Sequence, residues 1–150
     1  MNDAAKPIWL PGVTLAHCNE MSRDTMMEHI GIVYTEMGAD FVRGSMPVDE
    51  RTCQPMRVLH GGASVVLAES LASMAANCVI DRRTQAAVGQ EINANHLRPA
   101  PFGSTVTGTA RAFHLGARSQ VWGIEIVDER GRLVCVSRIT MAIVDRSASA

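Results

Sequence analysis

The sequence predicts an α+β fold in which a curved antiparallel sheet wraps around one long central helix. Three features carry that expectation. Leu59 to Ile80 reads as a loop, a glycine pair and then a mostly apolar helix; two short strand-like runs precede it; four longer ones follow it. The 150 residues are enough for one ordinary core, which would bury roughly 70% of the surface exposed in the unfolded chain. A single domain is expected over residues 1–150.

Residues 1–12 contain two prolines and no apolar run of signal-peptide length, and they are expected to be loosely ordered, with Trp9 anchored on the body. Thr14 to Ile30 has helix-like spacing at Leu15, Cys18, Met21 and Met26, interrupted around Ser22 to Thr25, and reads as one or two short helices. Gly31 to Met37 and Phe41 to Val48, separated by Gly38, Ala39 and Asp40, read as a hairpin. A polar loop, Asp49 to Arg57, then delivers the chain to His60. After the helix, Asp81 to Thr84 looks like a solvated exit whose cations favour the helix dipole. Ala86 to Leu97, Ser104 to Leu115, Ser119 to Val127 and Leu133 to Val144 read as consecutive antiparallel strands, with turns at Gly116 and Ala117 and around Gly131. Leu133 to Val144 is apolar on much of both faces, which implies a central, covered strand. Residues 146–150 are expected to fray.

The helix carries one charge, Glu69. Apolar residues cover most of its circumference, yet Glu69, Ser73 and Asn77 recur every four residues and therefore share one face. Burying a carboxylate costs several kcal/mol unless it is compensated, so Glu69 is either a structural acid with hydrogen-bond partners or a wet groove, or a catalytic base or nucleophile. The segment before it bears on the choice. His60, Gly61 and Gly62 place backbone N–H groups at the positive end of the helix, unshielded by side chains, where they suit a carbonyl oxygen as it becomes negative.

One helix cannot bring both groups to one atom. Glu69 follows Gly61 by eight residues, about 12 Å along the helix axis at the usual rise. If both act on one substrate, they come from two copies of the chain, and the protein is at least a homodimer.

Net charge is −1, with 14 basic and 15 acidic residues, so no field favours nucleic acid. The six aromatic residues do not interleave with basic clusters as a single-strand binder requires. Cys18, Cys53, Cys78 and Cys135 form no pair at metal-binding spacing. No metal or other cofactor is expected. With no signal-like or membrane-spanning apolar run, the chain reads as a cytoplasmic protein without membrane partners. A nucleophile elbow is absent, since Gly62-Ala63-Ser64-Val65-Val66 lacks its second glycine, and there is no phosphate-binding loop, dinucleotide fingerprint or zinc-protease motif. His17 and His29 read as surface or packing residues, and His60 as a loop residue that orients the helix mouth.

His60-Gly61-Gly62-Ala63-Ser64 leading to Glu69 and Ser73, then Glu91-Ile92-Asn93-Ala94-Asn95-His96-Leu97-Arg98, His114-Leu115-Gly116-Ala117-Arg118 and Gln120-Val121-Trp122-Gly123-Ile124 together resemble the hotdog-fold acyl-CoA thioesterases. The similarity is colinear over about residues 44–144 and lies nearest the branch acting on dihydroxynaphthoyl-CoA and its enterobactin-pathway proofreading relative. It implies a sheet wrapped around a helix, dimers pairing into homotetramers, and hydrolysis of an aromatic or other acyl thioester, with coenzyme A as part of the substrate.

By position in the motif, the resemblance makes Glu69 the nucleophile or general base and the Gly61 N–H the group that polarises the thioester carbonyl. Gln54 and His60 would line the carbonyl or leaving-group side, and Ser73 would place water or product. Gly89, the run His96, Leu97, Arg98 and Pro99, and the run Phe113, His114, Leu115, Gly116, Ala117 and Arg118 would contact coenzyme A. Cationic Arg98 and Arg118 suit a phosphorylated nucleotide. Two other activities remain compatible with these residues: a hydratase or dehydratase on the same fold, and a non-catalytic acyl-CoA-binding module.

Overall fold

The computed structural model describes residues 6–146. In chain order the elements are α1 (Leu15–Glu20), α2 (Met26–His29), β1 (Val33–Met37), β2 (Phe41–Pro47), α3 (Gly61–Cys78), β3 (Gln85–His96), β4 (Thr105–Leu115), β5 (Ser119–Val127) and β6 (Leu133–Asp145). The six strands form one antiparallel sheet in the order β1-β2-β4-β5-β6-β3. The chain thus has the expected sheet and helix, and α3 packs on β2 to β6.

The break at Ser22 to Thr25 has a local cause. The hydroxyls of Thr14 and Thr25 accept from the amides of His17 and Met27 and cap α1 and α2 separately. Asp24 between them sits at φ 57°, a left-handed conformation that no helix interior tolerates.

Helix α3 buries Leu67, Leu71, Ala68, Ala72 and Ala75 completely. Each leucine removed from water contributes about 1.5–3 kcal/mol. The approach to the sheet is close because two glycines make room for it. Gly44 and Gly108 face each other across β2 and β4, and a Cβ on either would come within 2.7 or 2.6 Å of a Leu71 methyl. Leu71 therefore seats in a notch that any larger side chain would fill. At the far end of the helix, Asn77 Nδ2 donates to the Ser73 and Ala87 carbonyls at 2.9 and 3.0 Å, and its Oδ1 accepts from the Ala87 amide at 3.1 Å, which ties α3 to β3.

Strand β6 lies between β5 and β3, as its two apolar faces require. The order of the four late strands departs from a simple meander. β3 does not pair with the strand that follows it; it pairs with β6 and forms one edge of the sheet. Periodicity reports which residues face a core, not which strand lies alongside, so this displacement left no trace in the pattern.

The N-terminal expectation is corrected from residue 6 onward; residues 1–5 lie outside the described part. Ile8 N–H donates to Ala39 O, Leu10 N–H to Cys78 O, and Trp9 Nε1 to Gly38 O at 2.6 Å. The Trp9 ring stacks on fully buried Trp122 with centroids 6.4 Å apart, so the anchor holds the segment on both sides of it. Arg146, expected to fray, donates its amide to Thr84 O; residues 147–150 lie outside the described part.

Candidate active site

Glu69, Ser73 and Asn77 project from one face of α3 into a cleft of about 590 Å³, whose other walls come from Met21 at the end of α1, from α2, from β1 and from the start of β3. Glu69 is half-buried, and its carboxylate has no hydrogen-bond donor among the described residues. Of the two structural roles open to this acid, a hydrogen-bonded one is therefore absent, and the group faces the cleft. The backbone beside it is Gly89. A Cβ there would fall 2.6 Å from Glu69 Oε1, so the carboxylate lies flat against β3 only because residue 89 has no side chain. The adjoining pairing with β6 slips between Gly89 and Glu91, a bulge at the point where the acid rests.

Two further groups fix this neighbourhood. The Ser73 hydroxyl reaches Met141 Sδ at 3.9 Å. Tyr34 donates its hydroxyl to Ser70 O at 2.9 Å. Burial raises the Tyr34 phenol well above its usual range, so it stays a neutral donor.

The helix mouth opens elsewhere. Gly61 lines a hollow of about 320 Å³ together with Ser64, His96, Leu97, Arg98 and Pro99. His60 caps α3: its Nδ1 accepts from the Gly62 amide at 2.8 Å, which leaves the proton of the neutral ring on Nε2, and its carbonyl accepts from Ala63 and Ser64. Of the first-turn amides, only that of Gly61 has no acceptor among the described residues, and it carries the positive end of an 18-residue helix. The His96 ring closes over it; a Cβ on Gly61 would meet His96 Nε2 at 2.9 Å. The imidazole leaves no room for a side chain at this position, and Gly61 and His96 line the same hollow.

The remaining candidates are placed as follows. Gln54 accepts the Met56 amide on its Oε1 at 2.9 Å, so its free NH₂ is the donor it can offer a ligand. Gly89, grouped in sequence with coenzyme A contacts, sits instead at the Glu69 carboxylate. Phe113 to Arg118 form an exposed strand end and turn between β4 and β5, where the Phe113 ring lies over Gly123 and His114 over Gly116; they line neither the Glu69 cleft nor the Gly61 hollow. Within one chain, therefore, the acid and Ser73 line one cleft, and the Gly61 amide with His96 to Pro99 lines a separate hollow.

Sequence reasoning missed the walls of the cleft. Met27, Tyr34 and Arg82 line it, although α1 and α2 carried no chemical motif. Arg82 had been read with Arg83 as part of a solvated exit. Arg83 does turn outward to Asp81, while the half-buried Arg82 turns into the cleft and touches Met21.

Residues 56–135 match the Thioesterase superfamily. The chain belongs to that family. Among its relatives, the 1,4-dihydroxy-2-naphthoyl-CoA hydrolase of Escherichia coli is 49% identical over 136 residues, 91% of this chain and 98% of the relative. The proofreading thioesterase EntH of Cronobacter sakazakii is 49% identical with the same coverage. A mutant thioesterase from Pseudomonas aeruginosa superposes with a TM-score of 0.90 at 41% identity, covering 93% of this chain and 99% of that one. The thioesterase therefore has the hotdog architecture and is a thioester hydrolase. No helix among its described residues is long and apolar enough to cross a membrane.

Proposed function

We propose that this thioesterase hydrolyses an aromatic acyl-CoA at sites shared between two copies of the chain, with Glu69 from one and the Gly61 amide from the other. The observation that carries the reading is where the two half-sites lie along β3. Glu69 rests on Gly89, towards the start of the strand, and the Gly61 mouth rests on His96, its last residue. Among the described residues the outer edge of β3 has no strand neighbour, and an unpaired edge of 12 residues is a template for another chain. Two β3 strands pairing antiparallel exchange ends. With the two-fold axis near Ile92 and Asn93, Gly89 of each copy opposes His96 of the other, and each acid meets a helix mouth.

The chemistry follows from those groups. A water activated by Glu69, or the carboxylate itself, attacks the thioester carbonyl carbon, and the carbonyl oxygen gathers negative charge against the Gly61 N–H. The C–S bond then breaks, the electron pair leaves on sulfur, and a proton completes the thiol. The products are a carboxylic acid and coenzyme A, formed directly when water attacks, or after a water hydrolyses the mixed anhydride on Glu69 when the carboxylate attacks. Thiolate is a good leaving group, so no strong acid need assist. His96 to Pro99 beside the helix mouth, and Phe113 to Arg118, would hold coenzyme A, with Arg98 and Arg118 facing its phosphates.

The aromatic acyl group is supported by relatives named for naphthoyl-CoA hydrolysis and proofreading and by a cleft beside Glu69 within the usual ligand-pocket range of about 300–1,000 Å³. Exposed Val88, Phe113 and Val144 on β3, β4 and β6 offer apolar surface for dimers to pair into a tetramer. Release of free thiol from a panel of aromatic and aliphatic acyl-CoAs tests the reading. Glu69→Gln should lower kcat/KM at least 100-fold, in line with removal of a general base, about 2.7 kcal/mol. A loss under tenfold, or binding without thiol release by the wild type, would contradict it.

A further inference from the structure

The cleft beside Glu69 contains a cation that the hydrolysis does not use. We infer that Arg82 is a specificity residue that reads an anionic oxygen at the far end of the acyl group, so that the preferred substrates are thioesters of an apolar acyl body carrying a distal carboxylate. This rests on the assignment of Glu69 and its cleft to the acyl half of the site.

Arg82 is half-buried and lines the cleft with Glu69. Its Nη1 lies 2.7 Å from Met21 Sδ and 3.5 Å from His17 Nε2, neither of which is an anion. Among the described residues it has no carboxylate within ion-pairing distance, whereas its neighbour Arg83 is paired with Asp81 at 2.8 Å. A half-buried guanidinium without a counter-ion offers its fork of donors to the cleft, and that fork matches a carboxylate in geometry and charge.

The wall between acid and cation defines the rest of the ligand. Met21, Met26, Met27, Val66 and Met74 line it, and thioethers fill irregular space and favour contact with aromatic rings. The distance also fits. Glu69 and Asn77, both on the cleft wall, are about 12 Å apart along α3, and Arg82 follows beyond the helix end, leaving room for one ring with a short extension. The cleft is thus mostly apolar, with Ser73 and Asn77 along the α3 wall, Glu69 at one end, and Arg82 with Arg146 among the residues that line it. Met21, Met26 and Met27 precede the residues that match the family, so this part of the wall belongs to the N-terminal segment of this chain.

The test compares para-carboxybenzoyl-CoA with benzoyl-CoA, and para-carboxycinnamoyl-CoA with cinnamoyl-CoA, as ratios of kcat/KM. Ratios do not depend on the active fraction of a preparation. The wild type should favour the carboxylated member of at least one pair tenfold or more. Arg82→Met should lower that ratio at least tenfold, and Arg82→Lys should fall between. Wild-type ratios near or below one in both pairs, or a ratio unmoved by Arg82→Met, would overturn the inference. If Arg82→Met does not fold, Arg82→Lys and the wild-type ratios decide on the same criteria. Should the wild type bind these thioesters without cleaving them, the hydrolase reading falls separately. Ratios of dissociation constants from calorimetry, held to the same tenfold limits, then judge Arg82.

Discussion

At the residue scale, the role proposed for Glu69 rests on surroundings that leave its carboxylate without a partner. No donor among the described residues bonds the carboxylate, and a glycine lets it lie against the sheet. Gly89 is therefore a positioning residue. Its φ lies outside the left-handed region, so alanine meets no backbone strain there, but the new Cβ would sit 2.6 Å from Oε1 and the carboxylate must swing aside. Displacing a reacting group by about 1 Å can cost on the order of 100-fold in rate. Gly89→Ala should accordingly lower kcat by roughly 10- to 100-fold with Tm nearly unchanged. A fall in Tm matching the loss of activity would show instead that the residue is structural. The acid itself was legible in sequence because one charge in an apolar helix is a conspicuous departure, and the four-residue spacing of Ser73 and Asn77 gave its face. Asn77 shows the limit of that spacing: it shares the face yet serves to clamp β3. Gly89 and Arg82 were not legible, since what matters is which backbone or cleft each meets across the fold.

At the element scale, α3 is set against the sheet by the notch at Gly44 and Gly108. Gly108→Ala would place a methyl 2.6 Å from Leu71 Cδ1, and the helix must lift or Leu71 change rotamer. Overpacking of this kind costs about 1–3 kcal/mol, so Tm should fall by several degrees, at roughly 2–4 °C per kcal/mol for a chain of this size. Because a lifted helix also moves Glu69, kcat should drop with it. A variant as stable as the wild type by thermal denaturation would show that the notch is not filled as described. Helix and strand boundaries were well marked in the sequence, since caps, glycine turns and alternating apolar runs are local signals. The N-terminal helices were visible as elements only; their role as a wall of the cleft depends on contacts with β1 and α3 distant in sequence.

At the scale of the whole molecule, the proposed catalytic groups lie in two regions spaced along β3, a strand whose outer edge is unpaired among the described residues. The division could be argued from helix length alone, while the strand that separates the halves needed the fold, because β3 leaves its sequence neighbours for the sheet edge. The central claim is that each active site takes Glu69 from one chain and the Gly61 N–H from another. Subunit complementation tests it most directly. Gly61→Pro removes the amide proton at a first-turn position whose backbone suits proline, and the His96 ring it displaces belongs to the same chain's helix mouth; Glu69→Gln removes the base; each homo-oligomer should be nearly inactive. When the two variants are dissociated, mixed in equal amounts and reassembled, half the dimers are mixed and each holds one intact site of two, so about a quarter of the wild-type rate should return. Reassembled mixed dimers that stay as inactive as their parents would contradict the shared site, as would an active monomer.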